Sequence, residues 1–167
     1  MTRNIVRRSS VRRRALVAGA ALLAAIVPTT TAEAAAVSNS DLMVVRVAPD
    51  AAVPGGTTTV LGFIANPGPE QTVSPFTVTI TLPEGATAKE PFFPEGCVML
   101  ASGRQVRCVF PAGLAVWETV TAEVPVELDR TVPIGRLEGG SVTVRSADDK
   151  NQTNNEQPFV IEVLETP

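Results

Sequence analysis

The chain has 167 residues, which leaves room for one domain, or for one domain behind a targeting segment. It contains no histidine and no tyrosine, and its formal net charge is −3. Without histidine, the Ser-His-Asp and Cys-His schemes of nucleophilic catalysis are excluded, and the commonest side-chain metal ligand is missing. The composition therefore argues against most enzymes before any motif is considered.

The first 36 residues have the organisation of a cleavable signal peptide. They contain six arginines and a single acid, and their apolar run Ala15–Val27 is too short to span a bilayer as a helix. Small residues at Ala34 and Ala36 suit signal-peptide cleavage. Arg12–Val17 also fits a loose twin-arginine pattern, so general secretion and twin-arginine export both stay open. We expect a secreted, extracellular protein with no membrane segment after cleavage.

Cleavage would make the protein strongly acidic. The whole chain has 14 basic and 17 acidic residues, and the leader holds six of the bases and one of the acids. The remaining 8 bases and 16 acids give residues 37–167 a net charge of −8. Such a domain has no basic surface for nucleic acid or for anionic lipid, so neither is expected as a partner.

Residues 37–167 are predicted to form one all-β domain. Phe76–Leu82 and Glu118–Leu128 alternate apolar and polar residues with a period of two, which predicts strands buried on one face. Thr57–Ala65 is apolar on both faces and is predicted to lie inside a sheet. Further strands are predicted at Asp41–Val47, Ala86–Glu90, two short pieces of Gly96–Phe110, Gly139–Arg145 and Phe159–Leu164. About seven to eight short strands, without helical periodicity, predict an immunoglobulin-like antiparallel β-sandwich.

Cys97 and Cys108 are the only cysteines. In an exported chain an even pair predicts a disulfide, and a turn at Ser102-Gly103 would bring the two sulfurs together in a hairpin. Closing this loop should stabilise the fold by about 3 kcal/mol. A redox pair or a metal-binding thiol pair is the alternative, but the spacing is not C-x-x-C and no histidine is present.

The loop before the last predicted strand is rich in oxygen ligands. Calcium prefers such ligands, and the candidate residues are Asp148, Asp149, Asn151, Asn154 and Asn155. The loop lacks the glycine and the spacing of an EF-hand. Asp and Asn also hydrogen-bond their own backbone in turns, which is a sufficient reason for their presence. Turn formation is the preferred interpretation, calcium is the alternative, and no other cofactor is predicted.

The order of several short motifs resembles a known family. In chain order they are Asp41-Leu42 at the start of a strand, Pro54-Gly55-Gly56, Asn66-Pro67-Gly68-Pro69, Leu82-Pro83-Glu84-Gly85, the Cys97–Cys108 hairpin and Asn154-Asn155 before the last strand. This succession is similar to the bacterial immunoglobulin-like conserved repeat called domain of unknown function 11. The resemblance covers residues 41–163 approximately and implies a seven-stranded immunoglobulin-like sandwich. Repeats of this family occur in exported and surface proteins of bacteria, and the resemblance implies no catalytic residues. We expect a free, monomeric, non-catalytic module that binds another protein or a cell-envelope component.

Two other function classes stay open. A carbohydrate-binding module needs exposed aromatic side chains, and Trp117 is the only tryptophan. A small secreted hydrolase needs a pair of carboxylates, for which the loop glutamates are candidates: Glu70, Glu84, Glu90, Glu95 and Glu118. An internal Lys–Asn bond is not expected, because Lys89 and Lys150 lie in polar contexts where the amine stays charged.

Overall fold

A computed structural model of the protein describes residues 37–166, and the predicted signal peptide lies outside them. The described part contains nine strands and one turn of 3-10 helix, Gln152–Asn154. The strands are β1 Met43–Val45, β2 Thr57–Ala65, β3 Phe76–Thr81, β4 Ala86–Ala88, β5 Cys97–Met99, β6 Gln105–Phe110, β7 Thr119–Leu128, β8 Gly135–Ser146 and β9 Glu156–Val163. None of the described helices has the length and apolarity needed to cross a membrane.

The strands form two antiparallel sheets around one core. The first sheet has the order β1-β2-β7-β4 and the second the order β5-β6-β3-β8-β9. This is the all-β, immunoglobulin-like sandwich expected from the strand pattern. Because β2 pairs with β1 on one side and β7 on the other, the predicted interior position of Thr57–Ala65 is confirmed. The segment Asn66-Pro67-Gly68-Pro69 does not close a hairpin, since β2 and β3 belong to different sheets.

The alternating patterns decide which side chains fill the core. On β7, Val124 is fully buried while Thr121 lies half-buried on the outer face, and the two belong to opposite phases of the alternation. The rings of Phe76 and Phe110 stack across neighbouring strands, with centroids 5.3 Å apart and planes 8° apart. Burying a side chain such as Val124 stabilises a fold by about 1.5–3 kcal/mol.

The two cysteines lie directly opposite each other on β5 and β6 and form a disulfide. The predicted hairpin and its disulfide are therefore confirmed. Both cysteines are buried, which suits a structural bond and leaves no free thiol among the described residues.

Several strand boundaries differ from the predictions, and among them β4 ends at Ala88 rather than Glu90 and β9 begins at Glu156 rather than Phe159. β1 is only Met43–Val45, because the backbone N–H of Asp41 donates to the side chain of Asn66 instead of to a neighbouring strand. β8 begins at Gly135 rather than Gly139, since its first residues pair with β9 across an irregularity between Leu137 and Gly140. All nine segments form strands, including both short pieces of the cysteine-containing hairpin, so the strand number lies just above the expected seven to eight.

Candidate binding surface at the Asn66 end

Four segments meet at one end of the sandwich, which we call the Asn66 end. They are 38–42 before β1, 66–75 between β2 and β3, 111–118 between β6 and β7, and 147–155 between β8 and β9. These segments carry five acidic residues and a single basic one, Lys150. They are joined through three buried polar residues: Asn66, Thr72 and Asp148.

Asn66 has no exposed surface and uses all of its side-chain hydrogen-bonding positions. Its Nδ2 donates to the carbonyl oxygens of Glu70 at 2.9 Å and Leu114 at 3.0 Å. Its Oδ1 accepts from the N–H groups of Asp41 at 3.3 Å and Gly68 at 3.2 Å. The backbone also approaches closely here, because a Cβ at Gly68 would lie 2.2 Å from the nitrogen of Asp41. Asn66 therefore connects three of the four segments.

Asp148 is a fully buried carboxylate that accepts four hydrogen bonds. The donors are the N–H of Ser74 at 2.6 Å, its hydroxyl at 2.9 Å, the N–H of Val73 at 2.7 Å and the N–H of Ser38 at 3.3 Å. Burial raises the pKa of Asp148, but the bonds from Ser74, Val73 and Ser38 together outweigh it, so the pKa lies below the ordinary value. Asp148 is thus an anionic acceptor that holds three segments together.

Trp117 protrudes from the 111–118 segment in an unusual backbone conformation. Its φ is 65°, and among the described residues other than glycine it alone has a positive φ. Its side chain is 78% exposed. The segment is held in place because Thr72 Oγ1 accepts from the N–H groups of Gly113 and Leu114, while the N–H of Trp117 donates to the carbonyl oxygen of Asn66 at 2.7 Å. The indole is therefore presented on a fixed loop.

An apolar groove of about 220 Å³ lies beside this loop. Its lining includes the stacked rings of Phe76 and Phe110, together with Leu114, Val120 and the carboxylate-bearing Glu118. Trp117 directly precedes Glu118 in the chain. Exposed Val37 and Val73 belong to the same end of the molecule. The Asn66 end thus combines apolar surface with net negative charge.

Asp149 lies next to Asp148 in the chain but in a different environment. It is 6% exposed, and its Oδ1 accepts from the N–H of Asn151 at 3.0 Å, whereas its Oδ2 has no hydrogen-bond partner. Burial raises the pKa of Asp149, and the neighbouring charge of Asp41 raises it further. Hydrogen bonds from the side chain of Asn155 and from the N–H groups of Asn151 and Leu42 lower the pKa and offset part of this increase. This carboxylate is the poorly satisfied one of the pair.

The asparagines of the loop surround a second carboxylate, that of Asp41. Asn151 and Asn154 donate to it through Nδ2, at 3.3 Å and 2.9 Å. Asn151 Oδ1 also accepts from the N–H and the hydroxyl of Thr153 at the start of the 3-10 turn. Asn151 therefore hydrogen-bonds within its own turn, and the choice between turn formation and calcium binding stays a prediction. No three His, Cys, Asp or Glu side chains within 37–166 are grouped in a way that could hold a metal ion.

The structure separates the loop glutamates that were considered for hydrolysis. Glu70 and Glu118 both belong to the Asn66 end, but Glu118 lines the groove and Glu70 does not. Glu84 lies at the opposite end, in a shallow depression of about 350 Å³ that it shares with Asp129. Glu90 and Glu95 are exposed in the connection between β4 and β5.

Both lysines are exposed, as the sequence predicts. Lys89 forms an ion pair with Glu127 at 2.7 Å, and both side chains are about half exposed, at 51% and 46%. This neighbouring amine lowers the pKa of Glu127. Lys150 is exposed in the loop between β8 and β9. Neither amine is placed in the buried setting that an internal Lys–Asn bond requires.

Sequence reasoning missed three residues of this end. Asn66 belongs to Asn-Pro-Gly-Pro, a sequence typical of turns, although an asparagine that ends an apolar strand can also be buried when donors and acceptors surround it. Asp41 and Ser40 lie far in sequence from the Asp/Asn loop, so no local pattern connects them to it. Their placement beside Asp149 results from the isolated bridge between Ser40 and Asp149.

No family model and no curated protein matches the sequence. Among solved structures, the chain is similar to the third cohesin of ScaC from Acetivibrio cellulolyticus, which was solved in complex with the ScaB dockerin. The two sequences are 14% identical and the TM-score is 0.53. The match covers 74% of this chain and 99% of the cohesin chain. The seventh ScaB type I cohesin from Pseudobacteroides cellulosolvens is 10% identical with a TM-score of 0.50, over 76% and 94% of the two chains. These similarities show a shared sandwich fold, and membership of the conserved-repeat family stays a prediction.

Proposed function

We propose that the protein is a secreted, non-catalytic module that binds another protein through Trp117 and the adjacent apolar groove. The observation that carries this proposal is the conformation of Trp117, which is 78% exposed on a backbone with φ 65°. The signal-peptide pattern supports secretion, and the absence of histidine from the whole chain supports a non-catalytic role. Membership of the bacterial immunoglobulin-like repeat family is part of the same proposal.

Folding alone does not favour a tryptophan at this position. A residue other than glycine in the left-handed region costs on the order of 1–3 kcal/mol. Exposure of the indole also forgoes the burial free energy that a large apolar side chain normally contributes. Backbone strain and exposed apolar surface are both typical of binding sites, and tryptophan is among the residues that dominate protein interfaces.

The loop that carries Trp117 is rigid enough to serve as a binding platform. The N–H of Glu118 donates to the carbonyl oxygen of Ala115 at 3.1 Å, and the side chain of Glu118 accepts from the N–H of Ala115 at 3.3 Å. Together with the bond from Trp117 to Asn66, these contacts fix the turn. A preformed loop loses little conformational entropy on binding, which favours affinity.

The surroundings define the chemistry of the partner. Glu70 and Glu118 are exposed at the Asn66 end, where Lys150 is the single basic residue, so a partner with basic residues around an apolar anchor would be electrostatically complementary. The anchor would fill the groove beside Trp117, which has room for a single side chain of moderate size. The cohesin with the TM-score of 0.53 was solved in complex with a dockerin, so a sandwich of this fold can present a protein-binding surface.

The test compares the wild-type protein with Trp117→Ala, and Phe93→Ala serves as the matched control because Phe93 is also an exposed aromatic. A partner is captured from extracellular proteins of the source organism, purified and titrated against each variant. We expect Trp117→Ala to weaken binding by a factor of about 30 or more, as for an interface hot spot, and Phe93→Ala to leave it unchanged. Equal affinity of all three proteins for the purified partner would contradict the proposal.

Stability provides an independent readout. Glycine adopts a positive φ without strain, so Trp117→Gly should unfold at the same denaturant concentration as wild type or a higher one, with a gain of up to about 1 kcal/mol. Loss of binding together with unchanged or increased stability would identify a functional rather than a structural tryptophan. A markedly destabilised Trp117→Gly would show instead that the indole supports the fold.

Carbohydrate binding is the second candidate, because an exposed indole also stacks on sugar rings. The other exposed aromatic, Phe93, pairs with Glu123, four residues along β7 from Thr119 and thus roughly 13 Å from the start of that strand. The two rings therefore do not form one continuous platform. Retention of wild type but not Trp117→Ala on an insoluble polysaccharide, without any protein partner, would favour this candidate.

A further inference from the structure

The buried polar atoms that lack a hydrogen-bond partner are concentrated at one place. Within 37–166, every such side-chain atom belongs to 38–40 or 149–155, and all of them are oxygens: Ser38 Oγ, Ser40 Oγ, Asp149 Oδ2, Asn154 Oδ1 and Asn155 Oδ1. Asp149 is 6% exposed and Ser40 is 2% exposed. Their backbones form an isolated bridge, which places the two residues side by side.

The carboxylate and amide oxygens among them only accept hydrogen bonds, and the two serine hydroxyls can both donate and accept, so the site as a whole suits a ligand that attracts electron pairs. A buried acceptor without a partner is destabilising, and native proteins satisfy it with an ordered water molecule or an ion. Among the described residues, no basic side chain forms an ion pair with Asp149 or Asp41. The charge that acts on the pKa of Asp149 is the carboxylate of Asp41, which raises it, because two neighbouring carboxylates repel each other.

We propose that this cluster binds one calcium ion, coordinated by Asp149, Asn155 and Ser40, with Asp41 supplying the second negative charge. Asp148 is not a ligand, because its oxygens already accept four hydrogen bonds. Asn151 is not one either, since its Oδ1 accepts from Thr153. The ligand set therefore keeps Asp149 and Asn155 of the loop candidates and adds Ser40 from before β1, with Asp41 as a nearby charge.

The donor atoms select the metal. Carboxylate, amide and hydroxyl oxygens suit hard cations, and the described residues offer no thiolate or imidazole for zinc or copper. An irregular set of neutral and charged oxygens suits calcium better than magnesium, which requires near-ideal octahedral geometry and keeps its water molecules. With two carboxylates, a dissociation constant on the order of 10⁻⁴–10⁻³ M is expected, as for extracellular calcium modules.

The ion would connect segment 38–42 to segment 147–155. The N–H of Asp41 also donates to Asn66, and Asn66 accepts from the N–H of Trp117. Calcium would therefore stabilise the end of the sandwich that carries the exposed tryptophan. The calcium site is independent of the proposed protein partner, since none of the residues with unpaired oxygens lines the groove beside Trp117.

The experiment titrates purified protein, stripped with EGTA, with CaCl₂ and separately with MgCl₂ in a calorimeter, and records thermal unfolding in each solution. We expect one calcium ion per chain, much weaker magnesium binding, and a melting temperature that rises with calcium concentration until the site is saturated. If no heat of calcium binding is detected up to about 10 mM CaCl₂, and the melting temperatures in EGTA and in CaCl₂ are identical, water molecules alone hydrogen-bond these oxygens and the proposal is wrong.

Two aspartate variants separate metal binding from a purely structural role. Asp149→Asn keeps the shape of the side chain and removes its charge, and we expect it to weaken calcium binding at least tenfold. In EGTA it should melt at the same temperature as wild type or higher, whereas in calcium wild type should be the more stable protein. Asp50→Asn, which changes an exposed aspartate, should behave as wild type in both solutions. Equal calcium affinity of Asp149→Asn and wild type would overturn the ligand assignment.

Discussion

Asp148→Asn is the sharpest test of how the Asn66 end is held together. The substitution preserves the size and shape of the side chain but removes its charge and converts one acceptor oxygen into an NH₂ donor. In the native protein that carboxylate accepts four hydrogen bonds, three from backbone N–H groups and one from the hydroxyl of Ser74. In the variant, the new NH₂ group faces some of these donors.

The expected magnitude follows from the number of bonds that are lost. An asparagine carbonyl oxygen accepts two hydrogen bonds at most, so at least two of the four donors lose their partner. Hydrogen bonds to charged groups contribute about 1.5–3 kcal/mol each, so we expect the free energy of unfolding to fall by about 3–6 kcal/mol. Against a typical total of about 5–15 kcal/mol, this is a large fraction, and the melting temperature should fall by roughly 10–20 °C.

The assay is urea unfolding in EGTA at several pH values, with Asp50→Asn as the charge-matched control. The pKa of Asp148 is lowered in the folded protein, so the stability that it contributes is present above the unfolded-state pKa of about 4 and is lost as the pH falls through the folded-state pKa. The stability difference between wild type and Asp148→Asn should therefore be largest at neutral pH and shrink in acid. The reasoning would be refuted if Asp148→Asn lost less than about 1 kcal/mol relative to the control, or if the difference did not depend on pH.

Three further predictions concern the core residue Val124, the buried Asn66 and the disulfide. Val124→Asp should lower the free energy of unfolding by several kcal/mol because Val124 is fully buried. Thr121→Asp, on the outer face, should lower it by less than about 1 kcal/mol. Equal melting temperatures of the two variants would mean that the two faces of β7 are wrongly assigned. Asn66→Asp replaces two N–H donors with a buried negative charge that faces carbonyl oxygens. We therefore expect the free energy of unfolding, measured by chemical denaturation, to fall by about 3 kcal/mol or more. A fall of less than about 1 kcal/mol would show that Asn66 does not hold the three segments together. Reduction of Cys97–Cys108 should lower stability by about 3 kcal/mol, measured by melting with and without dithiothreitol, and unchanged melting would show that the loop closure contributes nothing.

Local sequence patterns determined the strands, their buried faces and the disulfide of this protein. Alternation with a period of two decides on its own which side of a strand is apolar, so the assignment of Val124 and Thr121 to opposite faces needed no tertiary information. The cysteines are separated by only 11 residues around a turn, which makes their pairing a local property as well. The exposure of Lys89 and Lys150 followed in the same way from their polar neighbours.

The tertiary structure alone decided how the Asn66 end is assembled. Whether β3 pairs with β2 or crosses to the other sheet depends on all the remaining strands, and the crossing is what draws Asn66 into the interior. Asp41 meets Asn154 across 113 residues of chain, and Asp148 meets Ser38 across 110. The packing of the two sheets decides which residues so far apart in the chain are buried and hydrogen-bonded to each other. A local sequence pattern therefore does not predict these contacts. For the same reason the sequence did not predict the setting of Trp117. The tertiary structure shows that this residue is exposed, has a positive φ and lies beside an apolar groove.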